Sequence, residues 1–597
     1  MDNYQAPIRD MLFVLYELLD ADKLNSLSGF EEVSRDLVEP VLDAAACFSK
    51  EQLAPLNHSA DKEGCHLIDG QVFTPAGFKK AYHLYCQAGW TGFSCDTQYG
   101  GMNMPKSIQS MLEEMVCSSN LSFGIYSGLS IGVYHALQMF ANTAIKQQYQ
   151  PKLVEGSWSG TMCLTEPQCG TDLGLCRTKA TAQSDGSYAI NGTKIFISAG
   201  DHDLTENIVH LVLARTADAP AGIKGISLFV VPKYQFDDQS NITDLNHVVC
   251  SAIEDKMGIK ASATCTLNFE ESRGLLVGEL HKGMQAMFSM MNRARLAVAM
   301  QGIGLCEVSY QEAVNYAQQR LQGRAINGAK YPQKSADPII VHPDIRRMLM
   351  TMRAYTQGCR AFGAWVSMEY DYSIGHVDKQ RRIDADEFVQ LTTPIVKSLF
   401  TDVAFECTNL GIQVFGGHGF IRGSGMEQYV RDCRITQIYE GTNGIQALDL
   451  IGRKLPQHAG RNLRHFFHPI DIYIEQQQSK PELAKFIGPL SKAFTRLQQS
   501  TGYIAMAGIQ KPEDGAAVAN DYLKLFGLVA LAFMWCRMAQ TAQLKLADNS
   551  QLDSDFYSAK IITADFFMQK ILPQSSALFA TIMAGSPAVM ALDESQF

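Results

Sequence analysis

Residues 158 to 278 read differently from the sequence on either side, and this change of texture is the strongest constraint on the fold. Tyr188-Ala-Ile-Asn-Gly-Thr-Lys-Ile-Phe-Ile-Ser198 sets Asn191-Gly192 between two runs of strand-forming residues, which predicts a hairpin. Ile208 to Ala214, Ile226 to Val231 and Cys265 to Phe269 are further runs of the same kind. Before the block, Val38, Val41, Leu42, Ala45 and Ala46 recur at helical spacing, and Ser110 to Met115 continues that pattern. Pro55, Gly64, Gly70, Pro75 and Gly100-Gly101 mark its breaks. After the block, Met284 to Arg320 forms one long helical pattern or two shorter ones, and the periodicity holds with interruptions to about residue 455. A β block enclosed by helical blocks predicts a multi-domain α+β protein.

At 597 residues the chain is too long for one core. The expected units are a helical leader (1–35) and an N-terminal helical domain (36–157). A middle antiparallel β domain (158–278), a C-terminal helical bundle domain (279–456) and a helical extension (457–597) follow. In the leader, the apolar run Met11 to Leu15 is expected to pack as a helix against the body. The basic, His-containing stretch from His458 to His468 reads as a linker.

Composition excludes several function classes. A net charge of −10 leaves no electrostatic footprint for nucleic acid or for an anionic membrane surface. The 15 cysteines are odd in number and contain no Cys-x-x-Cys pair, so reduced thiols are expected. No metal-ligand cluster stands out among the 14 histidines. The first residues lack the basic and apolar regions of a secretory signal. The longest apolar stretch, Phe526 to Trp535, is too short to span a bilayer. The final Glu-Ser-Gln-Phe is not a peroxisomal address. A cytoplasmic, bacterial-type protein without a transmembrane segment is the expectation.

The chemistry concentrates at Tyr439-Glu440-Gly441-Thr442. Glu440 sits on a short turn before an apolar-periodic stretch, where Thr442 is suited to cap a helix by accepting a backbone N–H. Gly441 allows another group to approach the backbone closely. A carboxylate beside free N–H donors is suited to removing a proton next to a carbonyl whose oxygen those donors hold.

Several segments together, in order over roughly residues 40 to 455, resemble the acyl-CoA dehydrogenases. Met162-Cys-Leu-Thr-Glu-Pro-Gln-Cys-Gly-Thr-Asp172 is similar to the family's Thr-Glu-Pro-x-x-Gly-Ser-Asp signature. Lys194-Ile-Phe-Ile-Ser198 resembles its Lys-x-Trp-Ile-Thr strand. Met291-Asn-Arg-Ala-Arg-Leu296, Gln413-Val-Phe-Gly-Gly-His-Gly-Phe420, Arg431-Asp432 and the Glu440 turn complete the set. The long leader, the extension and Tyr4-x-Ala-Pro-x-Arg-Asp10 resemble the larger homodimeric branch that includes the 3-methylmercaptopropionyl-CoA dehydrogenases.

The resemblance implies bound FAD and α,β-dehydrogenation of an acyl-CoA thioester to the 2-enoyl-CoA. Glu440 would remove the α-proton, flavin N5 would accept the hydride, and the Glu440 N–H would stabilise the enolate. It implies that Met162, Leu164, Thr165 and Thr171 line the flavin ring, with Phe196, Ile197 and Ser198 covering its other side. Thr442 and Asn443 would contact the cofactor. Gln413, Gly416, Gly417, Arg320 and Gln322 would meet the FAD shared across a homodimer. Thr171, Asn292, Arg295, Tyr439 and Gly441 fall where the family binds substrate. Phe196 replaces the family's usual tryptophan, Thr171 its serine and Asn292 a common aspartate, and Arg320 to Arg324 departs from the commoner motif.

The implied electron acceptor is an electron-transfer flavoprotein. The implied substrate is 3-(methylthio)propanoyl-CoA or a medium- to long-chain acyl-CoA. Two alternatives remain open: an acyl-CoA oxidase using oxygen, and a non-catalytic relative resembling the alkylation-response flavoproteins. The latter bind DNA through an extension, and the extension here is not noticeably basic. Read singly, Arg295 serves equally as an intramolecular ion-pair partner, Glu166 as a structural carboxylate, and His418 needs no catalytic role.

Overall fold

A computed structural model describes residues 4–548 and 553–597. Helical blocks enclose a sheet, and the leader and the extension pack against the body. The apolar leader run is wholly buried: α1 (Ile8–Leu12) continues through a wider helical turn at Phe13–Leu18. Next come α2 (Lys106–Ser119) and α3 (Leu121–Phe140), which Asn120 caps by accepting the Phe123 N–H.

The middle block holds a seven-stranded sheet of β1 (Trp158–Cys163), β2 (Lys179–Ala182), β3 (Tyr188–Ser198), β4 (Asn207–Ala214), β5 (Ser227–Pro232), β6 (Val248–Ile253) and β7 (Thr264–Val277). Its order is β1-β4-β5-β7-β3-β2, with β6 pairing β7. Every pair is antiparallel except β1 and β4, which run parallel.

Asn191-Gly192 is not a hairpin turn. Both residues lie inside the continuous strand β3, opposite Lys179 and Phe269. A Cβ at Gly192 would stand 2.9 Å from the Thr178 Cα, so glycine is required by close approach. Asn191 exchanges two hydrogen bonds with Glu271 across a bulge in β7. The dipeptide serves a bulge instead of a turn.

Three long helices follow: α4 (Gly283–Gln319), α5 (Pro343–Gly375) and α6 (Lys379–Phe415), of 37, 33 and 37 residues. The 283–319 pattern is therefore one helix. A short α7 (Asn443–Asp449) comes after the Glu440 turn. The stretch read as a linker is instead largely α8 (Arg461–Gln477). Phe466 decides this, because it is buried among Trp365, Phe388 and Phe526. Arg461 and His465 of the same helix bond Glu387 of α6. Asp384, Glu387 and His465 thereby come together with ligand-type atoms within 4.8 Å of one another, a grouping that is invisible in the sequence. The Arg461 guanidinium already supplies a cation to Glu387.

Phe526 to Trp535 lies within α9 (Ala519–Ala547), a 29-residue helix that is long and apolar enough to cross a membrane by length and composition. Most of it is buried inside the protein, where Trp535 donates its indole N–H to Ala354 O at 3.2 Å. The last long-range tie is made by α10 (Ser554–Phe566). Its Lys560 enters a buried network with Asp10, Glu114, Glu307 and Arg360 that joins leader, body and extension. The cysteines are free and mostly buried.

Candidate active site

The predicted residues fall into three groups. The first is the Glu440 turn. A short 3-10 turn at Ile435–Gln437 delivers the chain to Glu440 and Gly441, whose φ values of +56° and +87° are both left-handed. That conformation is free for glycine and strained for glutamate. Thr442 then caps α7, accepting the Ile445 N–H at 3.3 Å as its sequence predicts.

Side chains from three helices hold the turn by its carbonyls. Arg295 of α4 donates Nε to Glu440 O at 3.2 Å, and Lys397 of α6 donates Nζ to Gly441 O at 2.9 Å. Gln446 of α7 donates to both carbonyls at 3.2 Å. A Cβ at Gly441 would lie 2.6 Å from Gln446 Nε2. The N–H groups of Glu440, Gly441 and Thr442 have no acceptor among the described residues.

Glu440 is partly exposed, while the surrounding protein shell desolvates its carboxyl. Burial therefore pushes its pKa up, and Arg295 and Lys397 pull it back. The outcome is a base raised above the ordinary glutamate range.

Other members of this group turn inward. Arg295 is 4% exposed, 3.9 Å from Asp449, and 3.4 Å from Asn292 Oδ1. Of its two sequence readings, the intramolecular one is realised. Tyr439 donates its hydroxyl to Gln301. The Asn443 side chain, expected at the cofactor, bonds Lys397, Ser398, Thr401 and Asp402. Lys397 escaped the sequence reading, although a lone lysine within the apolar-rich run Thr392 to Leu399 was the signal available.

The second group lies on the sheet. Ile195 N donates to Thr165 O at 2.9 Å, and Lys194 Nζ to Leu164 O at 3.0 Å, so the two predicted motifs adjoin. Glu166 is structural: its carboxylate accepts from Lys194, Arg177 N, Thr178 N and the Thr178 hydroxyl. Desolvation opposes its ionisation, but Lys194 and these donors hold it well below the usual carboxylate range. Phe196 sits at a β3–β7 bulge with φ +58° and is 60% exposed, an aromatic face turned out of the sheet at a strained residue. Ile197 is buried, whereas Ser198, Thr165, Met162 and Leu164 are partly buried and Thr171 is exposed.

The third group occupies the far ends of α4 and α6. Tyr316 stacks on Phe415 with centroids 4.1 Å apart and meets His418 Nδ1 at 3.2 Å. This brings Arg320 and Gln322 toward Gln413, Gly416 and Gly417. The space where a Cβ would project from either glycine is open.

An outward aromatic face, neighbouring hydroxyls and a pair of open glycines fit a flavin ring and a phosphate. Four family models match in order: acyl-CoA dehydrogenase N-terminal domain (38–157), middle domain (161–272) and C-terminal domain (281–455), then acetyl-CoA dehydrogenase C-terminal like (466–593). The chain is 40% identical to the 3-methylmercaptopropionyl-CoA dehydrogenase of Ruegeria pomeroyi, over 96% of this chain and 97% of that one. The chain belongs to the acyl-CoA dehydrogenases. Another relative, the broad-specificity linear acyl-CoA dehydrogenase FadE5 of Mycobacterium tuberculosis, is 33% identical over the whole of both chains. An acyl-CoA dehydrogenase of Bacillus anthracis, solved in complex with FAD, shares the fold with a TM-score of 0.75 at 20% identity, over 94% of this chain and 90% of that one. As a member of the acyl-CoA dehydrogenases, this chain is an FAD-dependent oxidoreductase acting on acyl-CoA.

Proposed function

We propose that the chain dehydrogenates a short acyl-CoA, 3-(methylthio)propanoyl-CoA among them, with Glu440 as the α-proton base. One observation carries this reading: a carboxyl of raised pKa on a left-handed turn whose own N–H groups are left without acceptors. The thioester oxygen would accept the Glu440 N–H, which stabilises charge developing on that oxygen. Glu440 would then take the proton, as a base whose pKa burial raises above the ordinary glutamate value. Bound FAD would supply the acceptor for the β-hydrogen. Phe196, Met162, Leu164, Thr165, Thr171 and Ser198 would hold its ring. The methylthio substrate is favoured by the 40% identical relative of that name.

The holoenzyme is a homodimer that passes electrons to an electron-transfer flavoprotein. Arg295 lies within α4 and Arg320 immediately follows its last residue, 25 positions on, or about 37 Å at 1.5 Å per residue. That distance exceeds the reach of one extended dinucleotide. A cofactor seated at Glu440 would therefore meet Arg320, Gln322, Gln413, Gly416 and Gly417 only from a second copy.

The test is anaerobic bleaching of the flavin with a panel of acyl-CoAs, including the methylthio compound. Glu440→Gln should keep FAD and lose bleaching by about 10²- to 10⁴-fold. Bleaching at the wild-type rate would end the assignment, and stoichiometric hydrogen peroxide without another acceptor would favour an oxidase.

A further inference from the structure

Lys397 lies in α6 among the buried Ile395, Val396 and Leu399, and is itself fully buried. An ammonium in such surroundings is unfavourable unless it is compensated. Among the described residues no carboxylate oxygen lies within 4.0 Å of it. Its bonds go to neutral oxygens on either side of Thr442: Gly441 O and Asn443 Oδ1, both at 2.9 Å. A side chain needed only for packing would be apolar here, like its neighbours. The charged and titratable groups that face it are Glu440 on the turn, Asp402 on its own helix and Arg295 on α4. Asp402 is occupied, accepting from Gln437 and Asn443 at 2.7 Å each.

We propose that Lys397 is a positioning residue for the base: its ammonium clamps the turn by Gly441 O and keeps the Glu440 carboxylate ionised. The inference rests on reading Glu440 as the base. Two separate effects follow from the geometry. Holding the Gly441 carbonyl toward α6 fixes the plane of the Gly441–Thr442 peptide, and with it the backbone that follows Glu440. The positive charge lowers the proton affinity of Glu440, against the desolvation that raises it. Arg295 adds a second cation, but it is bound to the Glu440 carbonyl and lies beside Asp449, so part of its field is already offset.

The experiment uses FAD-loaded enzyme carrying Lys397→Gln or Lys397→Arg. Glutamine keeps a donor for Gly441 O and loses the charge, whereas arginine keeps the charge and disturbs the fit. The acid limb of kcat/KM against pH should move up by about one unit or more in Lys397→Gln. It should stay at its wild-type place in Lys397→Arg, although kcat falls. A purely structural lysine would lower kcat in both variants and leave both limbs unmoved, and that result overturns the proposal. If Lys397→Gln fails to retain FAD, Lys397→Met takes its place as the charge-removing variant, and an acid limb that stays at the wild-type pH there overturns the proposal. Failure of the parent reading is separately visible, because Glu440→Gln would then still bleach the flavin.

Discussion

Replacing Lys560 with methionine removes one of two cations from a network in which Asp10, Glu114 and Glu307 are the three carboxylates and Arg360 is the other cation. Every member side chain is at most 7% exposed, so water cannot screen the imbalance. Lys560 is the only one of the five from the extension, and Asp10 the only one from the leader. Stripping one partner from a buried ion pair costs roughly 3–5 kcal/mol, because the other charge stays buried. At about 1.4 kcal/mol per tenfold, protection of α1 and α10 against hydrogen exchange should fall by about a hundred- to several-thousand-fold.

Sterics do not confound the test. Lys560 Nζ already lies 5.0 to 5.8 Å from the ring centroids of Phe13, Phe556 and Trp535, surroundings that suit a methionine. Adding Asp10→Leu restores the original charge balance around Arg360 and should recover most of the loss. Exchange mass spectrometry on FAD-saturated protein reads both variants. A single variant that loses less than tenfold, or a double variant as impaired as the single, refutes the electrostatic account.

Three further outcomes follow from named residues. Because burial raises the Glu440 pKa, and the base acts only when ionised, kcat/KM should fall on the acid side at a pH above the ordinary glutamate value; a limb at about 4.5 counts against desolvation of the carboxyl. Phe196→Gly should relieve about 1–2 kcal/mol of left-handed strain and raise the melting temperature of the apoprotein, while FAD retention falls, so parallel movement of the two would exclude a cofactor-facing role for the ring. Glu166 has a folded pKa depressed from 4.5, so its stabilisation is present above that pH and is lost as pH falls through the acid range. Glu166→Gln should therefore be strongly destabilised at pH 7, with less further loss on acidification than the wild type, as followed by thermal unfolding and FAD release at pH 7 and pH 3.

The local parts of this molecule were legible in advance. The 283–319 helix, the Thr442 cap, the buried leader run and the Glu440 turn each arise from periodicity or from residues a few positions apart. Two readings failed where distant segments intervened. Asn191-Gly192 carries the residue types of a turn, but Thr178 and Glu271 recruit it into a strand with a bulge. His458 to His468 has the polarity of a linker, yet one phenylalanine within an aromatic cluster draws most of it into a helix. Arg295 and Asn443 were read only as ligand contacts or a lone ion pair, and the tertiary structure adds what the sequence did not show, that both side chains brace the turn.

Hydrophobic period, caps and the ordered motifs by themselves determined the helix–sheet–helix architecture and the family, and singled out the Glu440 turn, because those signals are written within one or two turns of chain. Only the folded structure decided that Arg295 holds the Glu440 carbonyl and Lys397 the Gly441 carbonyl, and that five buried charges tie leader to extension. Burial and the pairing of charges are properties of the space between segments, which no local pattern encodes.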